Sequence, residues 1–357
     1  MMKGNKGEWS ELYVFLKLLG DGKLYAADEN MEVIPDIFYG IIKIIRENET
    51  PPLEYVYNGD VQVVNASTGE TLLVLSSIDF DIAADNLYQA ILRNKTSFEV
   101  PEIIQFVQNI GYSKLKARSD KKTDITLMVH DYKTGIQSEM GFSIKSRLGS
   151  PSTLLNASSS TNFEYNIINH TLSLDEIFVF NNISKFQEKF DYLSSLGADI
   201  VFKRISSEVF TYNLKLVDTG LPEVMGAILK ESFSSSVNNI TDLTHKIAEQ
   251  NIFNVPSDES FNFYSYKIKE LLTNIALGMV PATNWNGVYE TTGGYIIVKE
   301  DGDVLCYHIY NRNEFREYLF SNTKLERAST ERHKFGKIEN IDGQQTLNLN
   351  LQIRFIH

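Results

Sequence analysis

The stretch DITLMVHDYKTGIQSEMGFSIK, residues 124–145, is where the fold and the chemistry of this chain meet. Its ends are rich in apolar and β-branched residues, and its middle, Tyr132-Lys133-Thr134-Gly135, is turn chemistry. It therefore reads as two strands, 124–132 and 136–146, joined in a hairpin. A turn centred between Thr134 and Gly135 pairs residues whose numbers sum to 269, so Asp124 is expected opposite Lys145 and Thr126 opposite Ser143. Directly opposed side chains lie roughly 4.5–5.5 Å apart at Cβ, and alternate residues share a face. A carboxylate, a lysine and a small hydroxyl then gather at the open end of the hairpin. Two uses of that group stay open. One is an ordinary cross-strand ion pair, worth under about 1 kcal/mol at a surface. The other is phosphodiester hydrolysis, with Asp124 and the Ile144 main-chain carbonyl holding Mg²⁺, a cation content with one or two carboxylates plus waters. Lys145 would then orient water and offset transition-state charge.

Outward from the hairpin, the pattern is mixed. Asn5 caps an expected first helix with Trp9, Leu12, Tyr13, Leu16 and Leu19 at helical spacing, ended by Gly20 and Gly22. Residues 33–47 and 53–65 read as strands. Residues 79–93 read as a helix starting near an Asp cap, and 101–111 as a helix with Pro101 in its first turn. The polar stretch 146–165 follows, then a mostly helical middle interrupted by two expected strands, ADIVFKRI (198–205) and VFTYNLKLV (209–217). The last segment returns to β structure, with Asp301-Gly302 in a hairpin turn. The expected class is α/β of the α+β kind, divided as 1–170, a helical 171–284 and a β-rich 285–357, with the softest boundary near 280–290.

The 357 residues are 43% hydrophobic, enough for one large core or two ordinary ones. The start lacks the apolar run of a signal peptide, and no apolar run is long enough to span a bilayer. The single cysteine, Cys306, allows no intramolecular disulfide and no cysteine-built zinc site. A cytoplasmic location is the expectation. The net charge of -12 argues against a simple nucleic-acid binder, but binding depends on the local field. Residues 114–124 carry five basic residues against two acidic, and residues 312–337 carry seven Lys/Arg plus His333 against four Glu. His130 and His170 read as structural or exposed.

The hairpin resembles the PD-(D/E)xK nuclease pattern, a strand Asp followed by acid-x-Lys on the next strand. It departs twice: Thr123 replaces the proline, and Ser143 stands where the acid should be in Ser143-Ile144-Lys145. A second carboxylate must come from elsewhere. Glu139 is six residues from Lys145, about 20 Å along a strand, and too far to share a metal. Glu11, in KGEWSE (6–11), matches the KGxxxE by which several such nucleases bring a helix carboxylate to the site. A solvated helix position is the plainer alternative for it.

The resemblance over the whole chain is more specific. GNKGEWSELYVFLKLLGDGKLYAADEN, SDKKTDITLMVHDY, GFSIKSRLGSPSTLLNASSSTNFEY and FSNTKLERASTERHKFGKI resemble the HpaII family of type II restriction endonucleases. The resemblance implies a PD-(D/E)xK core of a mixed sheet flanked by helices and cleavage of double-stranded DNA at CCGG with Mg²⁺. It also implies a cytosine methyltransferase as genetic partner and, for a palindromic target, a homodimer. Arg327, Arg332, His333 and Lys334 are expected DNA contacts, because Arg and Lys read guanine O6 and N7. A solvated charge run is the alternative. Ser150, Ser152, Thr153, Asn156 and the Ser158–Thr161 run are expected to donate to phosphates, with a plain surface loop as the alternative. Lys114, Lys116, Lys121 and Lys122 would raise the potential beside the centre. A structure-selective repair or junction nuclease, a non-cleaving DNA-binding relative and an acidic protein with no nucleic-acid role are the rival expectations.

Overall fold

Asn5 begins the first helix as the sequence requires. In the computed structural model, which describes residues 2–115, 123–341 and 343–356, its side chain accepts the Glu8 amide while the Glu8 carboxylate accepts the Asn5 amide. That reciprocal cap closes two orphan donors, and Gly22, at φ 65°, ends the helix in the left-handed region. In chain order the elements are α1 (Lys6–Asp21), β1 (Lys23–Ala27), β2 (Val33–Arg46), β3 (Leu53–Tyr57), β4 (Asp60–Asn65), β5 (Thr71–Ser76), α2 (Ser77–Arg93), α3 (Pro101–Asn109), β6 (Ile125–Asp131), β7 (Ile136–Ser146), β8 (Thr153–Leu155) and β9 (Asn162–Ile168). They continue with α4 (Leu174–Asn182), α5 (Phe186–Ser195), β10 (Asp199–Ile205), α6 (Glu208–Val217), α7 (Leu221–Ser234), α8 (Ile240–Gln250), α9 (Ser260–Leu277), β11 (Gly294–Val298), β12 (Val304–His308), α10 (Arg312–Ser321), β13 (Thr323–Leu325), α11 (Thr330–His333), β14 (Ile338–Ile341), β15 (Gln344–Asn350) and β16 (Ile353–Phe355). This is a mixed α/β chain consistent with the α+β class. None of the helices among the described residues is long and apolar enough to cross a membrane.

Two corrections have local causes. The segment 209–217 is helix α6, not a strand. Ser207 caps it by accepting the Phe210 amide, and burial falls on Phe210, Asn213 and Leu214, a helical spacing that overrides the β propensity of Val209 and Tyr212. Helix α2 is capped by Ser76, which accepts the Ile78 amide; Asp79 lies inside the first turn.

The chain divides into two units, one of residues 1–152 and 289–318, the other of 153–288 and 319–356. The first unit resumes within the 280–290 stretch expected as a soft boundary. The hairpin β11–β12 belongs to its sheet, so 285–357 is not one structural region.

The sheet of the first unit runs β1-β12-β11-β7-β6-β2-β3-β4-β5, and β1 also pairs with β2. The long β2 makes this possible. Its first half pairs with β1 (Lys23↔Gly40, Ala27↔Val33) and its last residues with β3 (Arg46↔Leu53), while β6 takes the opposite edge. Six strands therefore close into a ring, with β3, β4 and β5 as an extension. Trp9, Leu12, Leu16 and Leu19 of α1 are fully buried in the same core. Trp9 Nε1 donates to the Phe98 carbonyl at 3.2 Å and Tyr13 donates to the Gly302 carbonyl at 2.5 Å.

His308 is wholly buried in this unit between Tyr39, Phe142 and Met140. Its Nδ1 accepts the Tyr310 amide, so the ring is neutral with its hydrogen on Nε2. Burial pushes its pKa down to about 4, against a weaker upward pull from Asp131. The folded pKa lies below the unfolded value near 6.5, so the unfolded chain binds more protons between the two. Stability is then lost as pH falls from about 6.5 to about 4, by roughly 3 kcal/mol from this group. Urea unfolding at pH 7, 5.5 and 4 should show a shallower decline for His308→Gln than for wild type; equal slopes would contradict the assignment.

In the second unit β10-β9-β15-β14 form one sheet and β13-β16-β8 a smaller one, with α4 to α9 and α11 in the same unit. Lys189 is buried there and donates to the Gly336 carbonyl at 2.6 Å beside the Phe180 ring. Burial, then the neighbouring Lys337, brings its pKa down to about 8.

Candidate active site

The turn between β6 and β7 decides what meets at the open end of the hairpin. Asp131 accepts the Lys133 and Thr134 amides and the Thr134 hydroxyl, and Gly135, at φ 72°, donates to the Asp131 carbonyl. Four residues are spent in the turn, so Asp131 pairs with Ile136 and Ile125 with Phe142. The expected register is thus off by two: Asp124 faces Ser143 rather than Lys145, and Thr126 faces Gly141. An even shift keeps every side chain on its face, so Asp124, Ser143 and Lys145 still gather on one side.

Asp124 lies just before β6 begins, its amide donating to the Phe142 carbonyl. Its Oδ2 accepts both the Ser143 hydroxyl, at 2.9 Å, and the Ile144 amide, at 2.7 Å. Those two donors fix the carboxylate. They also place Ile144: its N–H points toward Asp124, and N–H and C=O of one strand residue share an edge. The Ile144 carbonyl therefore faces the same side, beyond the end of β6.

Lys145 follows on that face, half-buried, with its ammonium 5.3 Å from the centre of the Tyr295 ring on β11. Burial lowers its pKa, and Asp124 and Glu11 pull it back up. Both carboxylates therefore act on the same ammonium. Glu11 arrives because α1 is tied to the end of β7: Ser10 and Ser146 hydroxyls lie 2.8 Å apart, and Lys6 Nζ donates to the Leu148 carbonyl at 2.9 Å. Glu11 lines a cavity of about 530 Å³ that also holds Asp124, and a second of about 520 Å³ that also holds Ile144.

Among the described residues no three His, Cys, Asp or Glu side chains converge as a metal cluster. Two carboxylates and one carbonyl do fit a hard divalent cation that keeps waters and borrows substrate phosphate oxygens. They do not fit a closed zinc site.

The remaining expected residues fall in different places. Ser150 and Ser152 line the second cavity with Glu11. Thr153 opens β8 of the other unit, paired with Arg354. Asn156, Arg332 and His333 line a cavity of about 310 Å³ in that unit. Lys334 is exposed, at φ 53°. Arg327 is more tied than expected: its guanidinium donates to the Ser232 carbonyl at 3.2 Å and lies over the Phe186 and Phe233 rings. Thr161 is buried and closes a short turn with Ser158. The Lys114 carbonyl accepts Arg46; Lys116, Lys121 and Lys122 lie outside the described residues. His130 packs against the Tyr132 ring at a tilt, and His170 meets Glu176.

Sequence reasoning missed Tyr295, Glu47, Glu290 and Lys95. Tyr295 packs against Lys145 from a strand about 150 residues later, and no local pattern announces it. Glu47 and Glu290 line the cavity of Asp124, and Lys95 that of Ile144. Glu139 also lines the first cavity, four pairs along the ladder from the Asp124 end.

Comparison with known proteins gives the setting for this geometry. The family model of the HpaII restriction endonuclease matches residues 5–355. The type II restriction enzyme HpaII of Haemophilus parainfluenzae is 39% identical over 355 residues, covering 99% of this chain and 98% of that one. No solved structure matches the chain. With a match along nearly all of its length, the chain belongs to the HpaII family of restriction endonucleases.

Proposed function

We propose that this chain is a Mg²⁺-dependent type II endonuclease that hydrolyses both strands of duplex DNA at CCGG, with a PD-(D/E)xK-like centre of Asp124, Glu11 and Lys145. The observation that carries the reading is a half-buried Lys145 whose charge is favoured by two carboxylates lining one cavity, one on a fixed strand end and one on α1. A surface ion pair does not need two acids from separate elements on one lysine.

Asp124, Glu11 and the Ile144 carbonyl would hold the cation. Mg²⁺ bound there supplies polarisation of the phosphate and activation of water. Asp124 stays oriented because Ser143 and Ile144 both donate to its Oδ2, and Oδ1 would be the oxygen that meets the cation. Lys145 directs its protons at the water and at the charge growing on the phosphate oxygens. Its partial burial strengthens that interaction relative to bulk water. Arg332, His333, Lys334 and Asn156 contact DNA from the second unit, and Arg327 braces their segment. A homodimer matches a palindromic target by two-fold symmetry. A cytosine methyltransferase protecting CCGG is the genetic partner, and the cytoplasm is where both act.

Glu11→Gln keeps the helix and the side-chain volume but removes one charge from the cation site. Cleavage should fall roughly 10²-fold at low Mg²⁺ and recover in part as Mg²⁺ is raised. Rates titrated against Mg²⁺ check this; an unchanged curve would remove Glu11 from the site.

Sequencing the fragment ends of a Mg²⁺ digest tests the function as a whole. Discrete fragments whose rejoined ends restore CCGG at every cut are expected. A smear or branch-dependent cutting would favour a structure-selective nuclease, and retention of DNA without any cutting would favour a non-cleaving relative.

A further inference from the structure

The two cavities that meet at Glu11 differ in charge. Around the first stand Glu47, Glu139 and Glu290 with Asp124, against Arg46. Around the second stand Lys6 and Lys95 with the hydroxyls of Ser97 and Ser152, and Glu11 is its one acid. We infer that the second cavity seats the backbone of the strand being cut, and that Lys95 holds a phosphate next to the scissile one. The inference rests on the nuclease reading and adds a direction to it: the polyanion runs from the reacting phosphate over the basic cavity, away from the acid wall.

The donors are side chains. In the first turn of α1 the Asn5 and Glu8 amides are already engaged by each other's side chains. Lys6 is tied to the Leu148 carbonyl, which leaves it beside the cavity with a fixed position. Lys95 is exposed and has no ion-pair partner among the described residues. It lies in the short segment between α2 and Phe98, whose carbonyl accepts Trp9 Nε1. An exposed ammonium lining a hydroxyl-bearing cavity that Glu11 also lines suits a phosphodiester oxygen. The acid wall repels the same group.

The test is equilibrium binding of a CCGG duplex in Ca²⁺ by fluorescence anisotropy, at salt from 50 to 200 mM, for wild type, Lys95→Ala and Lys95→Arg. Loss of one phosphate contact should reduce the slope of log K against log salt by about 0.9. The fall in affinity across that range would then be about 3.5-fold smaller for Lys95→Ala. Lys95→Arg should restore the wild-type slope, and discrimination between CCGG and a changed site should be the same in all three. Wild-type binding with an unchanged slope in Lys95→Ala overturns the phosphate seat alone. A wild-type chain with no salt-dependent affinity for duplex DNA overturns the nuclease reading and the seat with it.

Discussion

Asp124→Asn should lower single-turnover cleavage of a CCGG duplex in Mg²⁺ by roughly 10³-fold or more and leave binding in Ca²⁺ within a few-fold of wild type. The fold survives because the amide oxygen of Asn can still accept from the Ile144 amide and the Ser143 hydroxyl, the two bonds that fix this end of the hairpin. What is lost is the charge. A cation site with two carboxylates loses half of its formal charge, and Lys145 loses one of its two acid partners. Rapid-quench rates beside anisotropy binding separate the two effects. Cleavage within tenfold of wild type would mean that Asp124 only ends a strand.

Lys145→Met should cost as much, for a different reason. Methionine preserves the unbranched stem that packs against Tyr295, so the sheet from β7 to β11 keeps its contact. The ammonium is gone, and with it the donor for the attacking water and the developing charge; roughly 10³-fold in rate is the expected loss, with little change in Mg²⁺ requirement. That last point distinguishes it from Glu11→Gln, whose effect depends on Mg²⁺. Lys145→Arg should recover little, since a planar, wider guanidinium does not reproduce a compact ammonium in a half-buried place. A Lys145→Met variant with wild-type kcat would refute the role.

How much of this was legible depended on whether the signal was local. The α1 cap was readable because Asn5 and Glu8 are three residues apart and satisfy each other. The hairpin was readable in its faces but not in its register. The pleat has period two whatever the turn, whereas the register depends on Asp131 drawing two amides and a hydroxyl into a four-residue turn. Closure of the ring was not legible. Parallel pairing of Tyr25 with Leu305 joins segments with no shared pattern, and the same pairing carried β11 and β12 out of the expected 285–357 region. Helix α6 was hidden by residues that favour strands in isolation and turn helical once Ser207 caps them. Asp124, Lys145 and Glu11 could be proposed from motif spacing, but what ties Glu11 to them is the pair of Ser10–Ser146 and Lys6–Leu148 contacts across 136 and 142 residues. Lys95 carried no motif, because a basic residue in a polar loop has no pattern until the cavity beside it is known.

The departure at Ser143 also reads differently with the geometry in hand. A serine cannot supply the missing metal carboxylate, yet its hydroxyl donates to Asp124, so the position still serves the acid at the open end of the hairpin. A centre of the proposed kind would depend on a helix carboxylate to complete it, and that dependence is measurable.

The most direct measurement is the single-turnover cleavage rate of the Glu11→Gln/Asp124→Asn pair beside each single variant, at fixed low Mg²⁺. If the two carboxylates hold one cation, the pair should cut about as slowly as the slower single, because the site is already lost. Losses that multiply, or a single variant that cuts at the wild-type rate, would contradict a shared centre.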